Sequence, residues 1–193
     1  MMPCRQVAPG VWLGFARCPP AGHGIAPARL WARDREAADR AVTAVLNASG
    51  YRRGDCVTSR SHTRGVGAAI VAPANARVGI DLVDMIRVNR RHAEAILNSE
   101  EWEVLAPYAA VRPALAWALK EAAAKALGNP LQYFPHGLRI ALGTCGYTRT
   151  IVEGATMEFA AAWGLLDGFL YAWVRWPSPR FGSSALNSAS IDR

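Results

Sequence analysis

The apolar positions of the chain fall into alternating strand-like and helix-like stretches. Gly10 to Ala16, GVWLGFA, is apolar and bounded by glycine, as a buried strand would be. A loop from Cys18 to Pro27 with three prolines interrupts it. From Ala28 to Ala48 the spacing of Ala37, Ala41, Val42, Val45 and Leu46 predicts an amphipathic helix, with Arg33, Arg35, Asp39 and Arg40 on its other faces and Gly50 as its stop. A polar stretch through Arg52, Arg53 and Asp55 leads past SRSHTRG to Val66–Ala72, which reads as a covered strand ended by Pro73.

Val78 to Val83, VGIDLV, predicts another strand. Its period of two puts Asp81 and Val83 on one face and Ile80 and Leu82 on the other, with Asp84 facing away from Asp81. Residues 87–106 read as helical, ending at Pro107. Ala114 to Leu127 reads as a strong helix with Pro113 near its start and Gly128, Asn129 and Pro130 closing it. Shorter strands are expected around Leu138–Leu142, Ala155–Trp163 and Phe169–Trp176, before a Ser-, Pro- and Gly-rich tail expected to be disordered.

An internal echo runs through these elements. Strand GVWLGFA, a helix ending AVTAVLNASG and strand GVGAAIVA in the first part match VGIDLV, a helix ending AAAKALGNP and GFLYAWVRW in the second. The expected architecture is therefore α+β. It would be a pseudodimer of two similar halves, each a small antiparallel sheet with a long helix, spanning 1–75 and 76–177, followed by a 178–193 tail. A site is expected in the groove between the halves.

Composition narrows the class. With 193 residues, 51% hydrophobic and 19% charged, the chain can bury a core without disulfide staples. Cys4, Cys18, Cys56 and Cys145 form neither a CxxC pair nor a regular framework, which argues for a reducing, cytoplasmic setting. No apolar run reaches membrane-spanning length, so neither a membrane span nor a signal peptide is expected. The net charge of +7 is uneven: residues 1–75 carry ten Arg against four acids, and residues 76–193 carry twelve basic against eleven acidic residues. A basic half suits an anionic partner such as a phosphorylated cofactor, an acidic protein or a nucleic acid. No zinc pattern, aromatic RNA-binding strand motif or helix with a basic face supports the nucleic acid.

Twenty of the 22 basic residues are Arg, and the only lysines are Lys120 and Lys125 on one predicted helix. On that helix Trp117, Glu121 and Lys125 fall at i, i+4 and i+8, along one stripe. Taken alone the stripe fits a core tryptophan beside a surface ion pair. Asp81 changes the weighing, because an acid among Val, Ile and Leu must be paired, hydrogen-bonded or metal-bound. Strand and helix carboxylates without a His or Cys cluster make an oxygen site suited to Mg2+, leaving room for water and phosphates. Lys125 would supply point charge to such phosphates. The other reading of Asp81 is a salt bridge to Arg77 or Arg87.

The ordered motifs SHT (Ser61–Thr63), GIDLVD (Gly79–Asp84) and WALKEAAAKALG (Trp117–Gly128) resemble the 4′-phosphopantetheinyl transferase superfamily. Its pattern is a Ser-His element, GxD on a strand, and WxxKExxxK on a helix; the likeness covers residues 59–128, more weakly reaching the helix around Arg40, Glu101 and GFLYAWVRW. Length and motif order are similar to the two-half, surfactin-synthetase-activating type. The wording around GxD is closer to holo-acyl-carrier-protein synthases, since Val83 stands where larger members often carry a third acid.

The resemblance implies Mg2+-dependent transfer of the phosphopantetheine arm of coenzyme A to a serine of an apo acyl or peptidyl carrier protein, with release of 3′,5′-ADP. It implies Asp81 and Glu121 as metal ligands and Lys125 against the phosphates, with Lys120 beside the metal-binding acid. Ser61 and His62 would meet the nucleotide's phosphates, and 3′-phosphate contacts would come from an arginine pool that includes Arg40 and Arg53. Glu121, directly or through a water, is the candidate base, with Glu101 second. Partners are the carrier protein and coenzyme A, with no nucleic acid or membrane, and a monomer is expected. An impaired member that only binds carrier proteins or coenzyme A is the alternative that Val83 keeps open.

Overall fold

A computed structural model describes residues 4–19, 26–128, 137–142, 147–152 and 155–176. Residues 178–193, expected to form a tail, lie outside these, as do Cys145, Asn129 and Pro130. The first sheet contains β1 (Arg5–Ala8), β2 (Val11–Arg17), β3 (Cys56–Thr63) and β4 (Val66–Pro73), in the order β1-β2-β4-β3. The second contains β5 (Arg77–Asp84), β6 (Ala141–Leu142), β7 (Tyr147–Val152), β8 (Ala155–Leu166) and β9 (Phe169–Trp176), in the order β5-β9-β8-β7-β6. All described pairings are antiparallel. Helix α1 (Pro27–Ser49) packs on the first sheet, and α4 (Arg112–Leu127) packs on the second. The chain is thus a mixed α+β structure with two small antiparallel sheets and helices.

The two sheets face each other. Alternate apolar residues of β2 and β4, among them Leu13, Phe15, Ala68 and Ile70, share a core with Ile80 and Leu82 of β5 and with Tyr171 and Trp173 of β9. The opposite face of β5, carrying Val83, packs with α4. This is the alternation the strand pattern predicted. The segments β2-α1-β3-β4 and β5-α4-β8-β9 also share a spatial strand order, first-last-middle, around a single long helix.

Glycines set how closely helix and strand approach. A Cβ on Gly79 would lie 1.9 Å from the carbonyl oxygen of Ala122, and one on Gly67 would lie 2.2 Å from the backbone of Ala37. Both helices present alanines at these crossings, so backbone rests almost on backbone. Helix α1 ends at Gly50, whose left-handed φ of 74° returns its N–H to Leu46 O.

Three expectations need correction. The segment 87–106 is two short helices, α2 (Arg90–Ile96) and α3 (Ser99–Val104), followed by a 3₁₀ turn. Asn89 and Asn98 each accept a backbone N–H three residues on within a capping box, so the chain starts a helix twice. The polar stretch before Val66 is strand β3, paired along its full length with β4. Strands β1 and β7 were not anticipated, and β6 is shorter than the expected Leu138–Leu142 strand.

Candidate functional site

Helix α4 is buried nearly all round. From Ala114 to Ala126 only Trp117, Glu121 and Lys125 retain intermediate exposure, so the predicted stripe is the helix's one open strip. It borders a cavity of about 580 Å³, whose wall also includes Arg60, Ser61 and His62 of β3, Asp81 and Asp84 of β5, and Arg87 and His92 beyond it. Gly79 brings about this convergence, because it lets α4 lie close enough to β5 for Lys125 to reach the strand.

Asp81 is the hub. Its Oδ1 accepts hydrogen bonds from Ser61 Oγ at 2.7 Å and from Lys125 Nζ at 2.7 Å, and Lys125 also donates to Ile80 O at 3.2 Å. Neither Arg77 nor Arg87 pairs with Asp81; Arg77 stacks on Trp176, and Arg87 lies 3.5 Å from Asp84. Lys125 pairs with Asp81 in place of the i−4 carboxylate of Glu121. Two of the three ammonium donors are used by these bonds, and the third has no partner among the described residues.

Both candidate metal ligands lie in this cavity. Asp81 Oδ2 receives no hydrogen bond from a described residue, and it is not among the fully enclosed unsatisfied atoms, so it is open to the cavity. No described residue hydrogen-bonds the Glu121 carboxylate. Burial, and secondarily the charge of Asp81, push the Glu121 carboxyl above the ordinary glutamate range; Lys125 partly offsets this. A half-buried acid beside another acid, with carboxylate oxygens unclaimed by donors, suits a hard divalent cation. The residues present therefore fit Mg2+, as two protein carboxylates with other positions left for water and phosphate. Among the described residues no group of three or more His, Cys, Asp or Glu side chains could hold a metal. Val83 is packed in the α4 core and supplies no third oxygen.

Asp84 does not replace that oxygen. The β5–β9 register runs unbroken through Asp84, and its carboxylate takes Arg64 at 3.1 Å, Arg87 and the N–H of Ile86. Arg64, at φ 48°, is held at the β3–β4 turn by Asp34, which accepts from the N–H groups of Arg64 and Gly65.

His62 lines the cavity, and burial lowers its imidazole below the ordinary histidine value, with Lys125, Arg60 and Arg35 acting in the same direction against Asp34. At neutral pH it offers a hydrogen bond in place of a positive charge. Ser61 is in the cavity wall too, but its hydroxyl donates to Asp81.

Other expected residues are elsewhere. Lys120, expected beside the metal-binding acid and counted among the cofactor contacts, is 2% exposed and ion-paired with Glu101 at 2.9 Å, also donating to Ile96 O. Glu101, the second candidate base, is likewise 2% exposed and accepts from Asn98 N and Ile140 N, so it does not border the cavity. Successive α-helical residues turn by about 100°, which puts Lys120 about 140° round the helix from Lys125. Arg40 pairs with Glu36 and lines a separate cavity of about 930 Å³ along α1. Arg53 is exposed in the turn before β3 and borders neither cavity.

Arg60, Arg87 and His92 are cavity residues that sequence reasoning did not assign. Arg60 stands two residues before His62 on β3, a polar segment whose pattern gives no strand signal by itself. His92 accepts the N–H of Asn89 through Nδ1, so the Asn-x-x-His cap was its legible trace. No helix among the described residues is long and apolar enough to cross a membrane.

No curated protein matches the chain. A family model described as the 4′-phosphopantetheinyl transferase superfamily matches residues 77–157, somewhat under half the chain. That span opens on β5 and contains Asp81, Glu121 and Lys125, and over it the chain is similar to a superfamily of transferases.

Proposed function

We propose that this chain is a 4′-phosphopantetheinyl transferase of the two-half type. It would move the phosphopantetheine arm of coenzyme A to a serine of an apo acyl or peptidyl carrier protein, with Mg2+, and release 3′,5′-ADP. The observation that carries the reading is the meeting of Asp81 and Glu121, each with oxygens free of donors, with Lys125 in one cavity. The pseudodimer reading is supported by the strand order shared by β2-α1-β3-β4 and β5-α4-β8-β9.

In this scheme Asp81 and Glu121 would hold Mg2+, which when bound supplies positive charge to the pyrophosphate of coenzyme A. Lys125 directs its remaining donor at a phosphate oxygen, and His62 offers a neutral N–H donor to the same anion. Glu121, directly or through a water, is the candidate acceptor of the proton of the carrier serine. The serine oxygen forms a bond to the phosphorus bearing the pantetheine arm as that phosphorus parts from the bridging oxygen, and 3′,5′-ADP departs. In-line transfer of this kind is accelerated chiefly by positioning and charge neutralisation.

The net charge of +7 suits acidic carrier proteins as partners. We place the enzyme in the cytoplasm as a monomer, serving fatty-acid, polyketide or peptide synthesis. The test is incubation with apo carrier protein, coenzyme A and Mg2+, read by intact mass. A phosphopantetheine adduct that disappears with EDTA is the expected result, and an unmodified carrier under all conditions overturns the proposal. Val83 favours one other reading, a member that binds coenzyme A without transferring it; binding without adduct would establish that reading instead.

A further inference from the structure

Ser61 lies on β3, is 7% exposed, and points toward β5. Ser59, two residues earlier on the same side, accepts the N–H of Ile80 at 3.2 Å and so helps to hold β3 against β5. Ser61 is spent differently, because its hydroxyl donates to a carboxylate that would ligate a cation. That bond and the Lys125 ion pair, both 2.7 Å, fall on one oxygen of Asp81. The other, Oδ2, remains open to the cavity.

We infer that Ser61 is a positioning residue for Asp81: with Lys125 it occupies Oδ1, so that Oδ2 is the oxygen presented to a divalent cation. This rests on the proposed function and departs from the phosphate contact that the resemblance implies for Ser61. The reasoning is electrostatic and geometric. An ammonium on a flexible four-carbon stem can shift between the two oxygens of a carboxylate and compete with a cation for both. A hydroxyl fixed on the neighbouring strand gives Oδ1 a second donor and sets the plane of the carboxylate. Partners of this kind typically change metal affinity by about 10- to 100-fold when removed.

The experiment titrates Mn2+ into the full-length protein without coenzyme A and reads free Mn2+ by electron paramagnetic resonance, for the parent, Ser61→Ala, Ser61→Thr and Asp81→Asn. Circular dichroism and thermal melts check that each variant is folded. One Mn2+ should bind the parent, about tenfold or more weakly in Ser61→Ala, near parental strength in Ser61→Thr, and not measurably in Asp81→Asn. In turnover, Ser61→Ala should raise the Mg2+ requirement while leaving the KM for coenzyme A at saturating Mg2+ unchanged. A raised KM at every Mg2+ concentration would restore the phosphate-contact role and overturn the inference. Parental Mn2+ affinity in Ser61→Ala, or equal loss in the alanine and threonine variants, also overturns it while leaving the proposed function standing. A parent that binds no Mn2+ overturns both.

Discussion

Replacing Lys120 with methionine should test whether that residue belongs to the core or to the phosphates. Its ammonium and the Glu101 carboxylate are 2% and 3% exposed, 2.9 Å apart, and tied to three elements: Ile96 O at the end of α2, Asn98 N at the cap of α3, and Ile140 N before β6. Lys120→Met would leave the buried Glu101 carboxylate with its backbone donors but without its paired ammonium. Breaking one side of a buried pair costs about 3–5 kcal/mol, a large part of the roughly 5–15 kcal/mol that holds a typical domain. For a chain of this size that corresponds to a fall in Tm of about 6–20 °C. Glu101→Gln should also destabilise the fold, because the buried ammonium loses its carboxylate. The double variant should cost less than the two together, since it removes the uncompensated charge. Urea and thermal melts of the four proteins complete the cycle. Single losses below about 1 kcal/mol, or strict additivity, would refute the reasoning. In Lys120→Met protein that remains folded, the KM for coenzyme A should stay at the parental value, because the side chain does not border the cavity.

Other perturbations address the approach of α4 and the charges it carries. Gly79→Ala would place a methyl 1.9 Å from Ala122 O and force the helix away from β5, with an expected loss of about 1–3 kcal/mol and reduced turnover; an unchanged melting temperature would contradict the close packing. Glu121 has its folded carboxyl raised by burial and by Asp81, so its stabilising contribution is full in acid and is lost as pH rises through that raised value. Glu121→Gln should therefore gain stability relative to the metal-free parent as pH climbs upward from the ordinary glutamate range; a difference between the two melts that does not change with pH would contradict the assignment. Lys125→Ala removes the ion pair on Asp81 and the cavity's free ammonium donor, so transferase turnover should fall at least about tenfold; unchanged kinetics would return Lys125 to a structural role.

Much of this arrangement was legible where local pattern and tertiary context agree. The strands at β2, β4, β5 and β9 are apolar runs, and α1 and α4 carry clear helical spacing with glycine stops. The Trp117, Glu121 and Lys125 stripe follows from helical geometry alone. Strand β3 was not legible, because CVTSRSHT is polar and leaves only Ser61 buried; its pairing with β4 makes it a strand. Helical periodicity bridged Leu97 and Asn98 and concealed the restart there, although Asn98 and Glu101 form a capping box. The pairing of Asp81 with Lys125, 44 residues apart, depends on the approach that Gly79 permits, which no local spacing encodes. The separation of the two lysines could have been read from the helical turn between positions 120 and 125.

The central claim is that Asp81 and Glu121 share a divalent cation with the pyrophosphate of coenzyme A. Calorimetric titration of coenzyme A into the full-length protein, with Mg2+ and with EDTA, tests it most directly when repeated on folded Asp81→Asn protein. The account predicts binding that tightens markedly with Mg2+ in the parent and responds little to Mg2+ in the variant. Equal affinity in Mg2+ and EDTA for the parent, or an undiminished Mg2+ response in Asp81→Asn, would contradict it.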